Sequence, residues 1–248
     1  MRRYLTFILL GIVFLATSGL LYLLHYYIFH DPRHIFIYLL GDIAFLPLEV
    51  FIVVLVIERI LSYREKRAIL QKLNMVIGAF FSEVGNRLLH DFLGYFDGTQ
   101  EICRRLTVDQ KWTHRDFERA AAYASVTRDK PHCSVTDLEG LRAFLIQKRE
   151  FLLRLLENPN LLEHERFTDL LWATFHLTEE LEARQSFEGI PDSDLAHLAG
   201  DIQRVYHHLA REWVWYVEHL KSNYPFLFSL VIRMQPFKET PSPVVSQM

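Results

Sequence analysis

Two carboxylates stand inside the most apolar stretch of this chain. Asp42 and Glu49 lie seven residues apart in IFIYLLGDIAFLPLEVFIVVLVI, residues 35–57. At 100° per residue they project from nearly the same helix face. An ionised carboxylate at bilayer depth costs a few kcal/mol, so each must face a partner helix, another subunit or water, or else hold a proton. Two chemistries fit. The acids are polar glue between helices, in contacts of about 1–2 kcal/mol, or they line a proton or cation path or a ligand site in an oligomer. Antiparallel geometry sets Asp42 near the depth of Tyr22, with His25 about one turn further out. Two helices cannot enclose a pore, so any conduit needs several copies or a partner.

Histidines and acids recur in the polar half. His197, Asp201, Arg204, His208, Glu212, Trp215 and His219 share one helix face. Consecutive histidines there are eleven residues apart, roughly 16 Å at helical rise, too far for two to bind one metal. That face reads as solvated. His-x-x-x-Glu occurs as His114/Glu118, His176/Glu180 and His208/Glu212, either half-sites of a metal centre or ordinary helix-surface pairs. The Glu-x-x-His of di-iron bundles is missing. His164-Glu165-Arg166-Phe167-Thr168 opens like a zinc-protease motif but has Thr where the second His is required. His25, His30 and His34 cluster without a supporting pattern. No metal or cofactor is assigned, and no phosphate loop or activated nucleophile supports an enzyme. Cys103 and Cys133 are far apart and read as reduced thiols. A formal net charge of −3 without a basic block argues against nucleic acid.

These residues need helices to position them. Tyr4–Phe29 is apolar and, after Arg2 and Arg3, long enough to span a bilayer. It outlasts a signal-peptide core, so it reads as an uncleaved anchor. His30-Asp31-Pro32-Arg33-His34 forces a turn, and Ile35–Ile57 returns. Arg59, Arg64, Lys66, Arg67 and Lys72 follow the second span, whereas the turn carries only Arg33. The basic bias places both termini in the cytoplasm and sets the basic run against an anionic lipid surface.

The remainder predicts helices by its 3.6-residue apolar period. The second span runs on, unbroken by proline, towards Phe96. Thr113 with Asp116 starts a helix to about Arg128, and Ser134 with Asp137 starts one to Glu157. Leu161–Phe187 and Asp192–Asn223 follow. The apolar run 224–232 either folds back onto the bundle or rests at the membrane interface. No strand alternation occurs. The fold expected is all-α: a transmembrane hairpin (1–60), a cytoplasmic helical bundle (61–234) begun by a juxtamembrane helix, and a disordered tail (235–248).

The stretches LGDIAFLPLEV (Leu40–Val50), REKRAILQKLNMVIGAFFSEVG (Arg64–Gly85) and YPFLFSLVIRMQPF (Tyr224–Phe237) resemble an uncharacterised group of prokaryotic two-span membrane proteins. The resemblance implies a bacterial or archaeal cytoplasmic membrane and no particular activity. The function expected is a non-enzymatic, membrane-anchored interaction or sensory/scaffold protein. The alternative is a subunit of an oligomeric proton- or cation-handling assembly using Asp42 and Glu49. Its partners are the bilayer and a further copy or a membrane protein.

Overall fold

The structure, a computed structural model, describes residues 2–126, 130–159, 161 and 164–245. All regular structure among them is helical: α1 (Arg2–Phe29), α2 (Pro32–Phe80), a π turn (Phe81–Gly85), α3 (Asn86–Leu93), α4 (Thr99–Leu106), α5 (His114–Ala124), α6 (Val135–Leu156), α7 (Glu165–Glu182), α8 (Asp192–Asn223) and α9 (Pro225–Met234). The chain divides into two compact units, Met1–Glu65 and Lys66–Met248.

In the first unit, α1 contains Ile8–Phe29 and α2 contains Pro32–Glu65, both apolar and long enough to cross a membrane. The turn between them is built locally. His30 takes a positive φ of 52°, Pro32 occupies the first helical position, and Asp31 Oδ1 accepts from Arg33 N (2.9 Å) and His34 N (3.3 Å). That is an Asp N-cap beside the proline a helix start tolerates. From Ile8 to Glu65 only His25, Ile35 and Leu39 are partly covered, and every other side chain is exposed.

The second unit wraps its core around α8. This 32-residue helix contacts α3, α5, α7, α9 and the π turn, while α6 packs on α7 and α4 on α5. The π turn has a packing cause. Widening the helix by one residue per turn sets the neighbours Phe80 and Phe81 both in the core. Phe80 meets Phe167 edge-on at 5.3 Å and Phe81 stacks on Tyr216 at 5.1 Å. Gly85 is required there, because a Cβ would lie 2.5 Å from the Phe81 ring.

Both capping boxes form. Asp116 Oδ2 accepts from Thr113 N at 2.7 Å, and Ser134 Oγ accepts from Asp137 N at 3.2 Å. Helix α8 has the expected bounds. Other ends move. Helix α5 stops at Ala124, and Arg128 lies outside the described residues. Helix α7 begins at Glu165 because His164 caps it, and ends at Glu182 before a turn that Gly189 makes at φ 69°. The short helix α4 has no counterpart in the sequence reading.

The tail expected from residue 235 does not begin there. Gln235 and Phe237 are buried. The Gln235 amide accepts from Val108 N (2.7 Å) and donates to Val108 O (3.0 Å) and Ile232 O (2.7 Å). Phe237 meets Trp213 edge-on at 5.0 Å. Two prolines downstream suggested disorder, but the anchoring residues precede them. Residues 246–248 lie outside the described residues.

Candidate functional site

The polar face of α8 is not solvated along its length. Asp201 and Glu212 are buried, at 2% and 3% exposure, because α7 covers that face as other helices cover the apolar stripe. At the Glu212 end a cavity of about 420 Å3 opens, lined by His114, His164, Arg166, Glu212, Trp215 and His219 among others.

Each wall follows from a local rule. His164 is the N-cap of α7: its Nδ1 accepts from Phe167 N at 3.2 Å, as cap side chains do. The proton therefore sits on Nε2, which lies 3.5 Å from Glu212 Oε1. Arg166, the second residue of α7, brings Nε to 3.9 Å from Glu212 Oε2 and lays its guanidinium 5.5 Å from the Trp215 ring. His219 Nδ1 faces the amide nitrogens of Asn74 (3.3 Å) and Asn223 (3.2 Å), so its proton also belongs on Nε2. His114 Nδ1 pairs with Glu218 Oε1 at 2.7 Å on the rim.

Burial sets the electrostatics. It pushes the Glu212 carboxyl up to about 7, against the opposing pull of Arg166 and Arg211. It pushes the His164 and His219 imidazoles down, Arg166 adding to the effect at His164. Both members of the His164–Glu212 pair thus favour their uncharged forms, so the 3.5 Å contact is not a fixed ion pair. His114 moves up because Glu218 stabilises its charged form. Three lining residues carry a buried polar atom with no hydrogen-bond partner: Glu212 Oε2, Trp215 Nε1 and His219 Nε2. Buried polar atoms are nearly always paired in folded proteins, so three around one cavity leave it able to hydrogen-bond a polar occupant, water included.

Of the sequence candidates, His164, Glu212, Trp215 and His219 meet here, and His114 joins them at the rim. His164 belongs to no protease motif; it is a cap that reaches across to α8. Asn74, Arg166, Glu218 and Asn223 carried no signal beyond helical position. In the first unit Tyr22, Asp42 and Glu49 are exposed and His25 is partly covered, with ring centroids of His25 and His34 5.8 Å apart. Asp42 and Glu49 have no hydrogen-bond or ion-pair partner among the described residues, Tyr22 included. Arg59 and Arg64 are exposed; the side chains of Lys66, Arg67 and Lys72 lie outside the described residues.

Two family models match the chain. One describes the N-terminal helical domain of MJ1433 and covers residues 3–61; the other describes the C-terminal helical domain of uncharacterized protein MJ1433 and covers residues 69–233. Uncharacterized protein MJ1433 of Methanocaldococcus jannaschii is 44% identical over 236 residues, 95% of this chain and 94% of that protein. No solved structure matches.

Proposed function

The chain belongs to the MJ1433 family, whose N- and C-terminal domains are both helical, and from that premise we propose a membrane-anchored sensory or interaction protein. Its first unit is a two-span hairpin in the cytoplasmic membrane with both termini in the cytoplasm. Its second unit receives a small polar ligand beside Glu212 and passes the bound state to a partner. The observation that carries this reading is the group of three unpartnered buried polar atoms around one cavity.

Their chemistry selects the ligand class. Trp215 Nε1–H and His219 Nε2–H require acceptors, Arg166 adds a positive charge, and Glu212 accepts or shares a proton. A small molecule with a carboxylate or carbonyl beside an amino or amide group satisfies all four. Calorimetric titration of the full chain in detergent with amino acids and their amides is expected to find a member bound with Kd below about 1 mM. Trp215→Phe keeps the ring and deletes the donor, and should weaken that binding about tenfold, or roughly 1.4 kcal/mol. No binding by wild type, or equal binding by Trp215→Phe and Glu212→Gln, would remove the ligand-receiving role.

The anchor is supported by the two long apolar helices and by the basic bias of their flanks. The full chain should remain with membranes through alkaline carbonate washing; release by carbonate would refute the anchor. Because Asp42 and Glu49 find no partner among the described residues, a second copy or another membrane protein is the reading we test for their polar groups. Glu49→Gln keeps hydrogen-bonding capacity and should leave oligomer size intact, while Glu49→Leu should weaken association by about 1 kcal/mol. Proton flux through wild-type vesicles that Glu49→Gln abolishes, with the oligomer unchanged, would favour the proton-handling alternative.

A further inference from the structure

We propose that Glu180, His197 and Asp201, with His176 as a fourth donor, form a binding site for a divalent transition-metal ion, zinc being the type. The eleven-residue spacing along α8 excludes two histidines of one helix from one ion. It does not exclude one histidine from each of two helices. Helix α7 supplies His176 and Glu180 one turn apart, α8 supplies His197 and Asp201 one turn apart, and the two pairs face each other.

Three donor atoms lie close enough to share one ion. Asp201 Oδ2 lies 3.4 Å from His197 Nε2 and 3.7 Å from His176 Nε2; Glu180 lies 3.7 Å from His197 Nε2 through Oε2 and 3.9 Å from His176 Nε2 through Oε1. One ligand atom from each of Glu180, His197 and Asp201 fits within 4.8 Å of the others. These separations exceed hydrogen-bond lengths of about 2.7–3.2 Å. Those of Glu180, His197 and Asp201 approach the spacing of about 3.4 Å that donors adopt around one tetrahedral ion at 2.0–2.1 Å bonds, and His176 stands beside them, near both carboxylates.

The second observation is independent of spacing. The Asp201 side chain is 3% exposed, and its Oδ2 accepts no hydrogen bond, although it points between the two imidazoles. The other oxygens are already held. Asp201 Oδ1 accepts from Arg204 Nη1 at 2.7 Å, and Glu180 Oε2 accepts from Arg184 Nη1 at 2.9 Å. Arg184 is itself gripped by Asp194 through two bonds of 2.7 and 2.9 Å. Metal sites orient carboxylate ligands through such outer hydrogen bonds. With neutral histidines, the carboxylates Glu180, Asp194 and Asp201 outnumber the two guanidiniums, so the group also favours a cation.

The test is Co2+ titration of the full chain in detergent after treatment with a chelator, read by visible absorption and by calorimetry. One Co2+ per chain is expected, with a tetrahedral d–d spectrum that equimolar Zn2+ erases. His176 and His197 are about half exposed, so His197→Ala and His176→Ala leave no cavity and should keep the helical circular-dichroism spectrum. His197→Ala should weaken uptake at least about a hundredfold, as should Asp201→Asn, while His90→Ala on α3 should change nothing. Absence of Co2+ or Zn2+ binding by wild type would overturn the site and leave the cluster as ion pairs. Binding of unchanged strength in His197→Ala would overturn it equally, by placing the ion elsewhere.

Discussion

Alanine in place of Phe237 is expected to cost the C-terminal unit about 3–5 kcal/mol, a large share of the 5–15 kcal/mol that stabilises an ordinary domain. Phe237 is 1% exposed and meets Trp213, itself fully buried, edge-on. Trp213 Nε1 in turn donates to Asn86 Oδ1 at 3.2 Å, and Thr107 Oγ1 donates to the Phe237 carbonyl at 3.0 Å. Removing the ring therefore opens a cavity at a point where α3, α8 and the segment after α9 converge. Urea denaturation of the full chain in detergent, followed by circular dichroism, should show the transition midpoint displaced to lower urea. A midpoint within error of wild type would show that the segment beyond α9 is dispensable.

The second large effect is a dependence on pH. Folded Glu212 keeps its proton up to about 7, whereas its ordinary value is 4.5. Between those values the native state binds more protons than the unfolded chain, so stability falls as pH rises. The loss amounts to about 3 kcal/mol once pH exceeds 7, and it is absent below 4.5, where both states are protonated. Arg166 and Arg211 oppose the upward push on this carboxyl. His164 works in the opposite sense: its value is depressed, so its contribution is lost as pH falls. The clean measurement is thus the difference between wild type and Glu212→Gln. The variant should gain about 3 kcal/mol relative to wild type from pH 4 to pH 8. A difference that stays constant over that range would show that Glu212 takes up its proton equally in the folded and unfolded chain, and so is not shifted by burial.

The helices of this chain are legible wherever an apolar stripe is long and its ends carry their own chemistry. Helix α8 has eight apolar positions at helical spacing, a Gly-Ile-Pro break before it and Tyr-Pro after it, and both ends fall where the pattern places them. Thr113 and Ser134 mark starts for the same reason. Helix α4, TQEICRRL, is too short to display a period. The anchoring by Gln235 and Phe237 rests on partners more than a hundred residues away in Thr107 and Val108, which no local pattern registers.

The candidate site was half legible. Every residue of the α8 polar face was visible as a set, but amphipathic logic treats the face opposite an apolar stripe as wet. It has no way to represent a second helix laid across it. The groups that meet Asp201 and Glu212 from the other helix, His164, Arg166, His176 and Glu180, look like surface residues until α7 and α8 are paired. Spacing along one helix measures what one helix can do alone.

The pairing of α7 with α8 has a consequence for regulation. Glu212 meets the start of α7 and Asp201 meets its later turns, so the two polar centres are opposite ends of the same pair of rods, roughly 16 Å apart along α8. Any sliding or rotation of one rod on the other alters both centres at once. If the two proposed occupants bind, such a motion makes them heterotropic effectors of each other. Linkage makes their coupling reciprocal: whatever factor an ion at Asp201 adds to affinity beside Glu212, a molecule beside Glu212 must return to the ion.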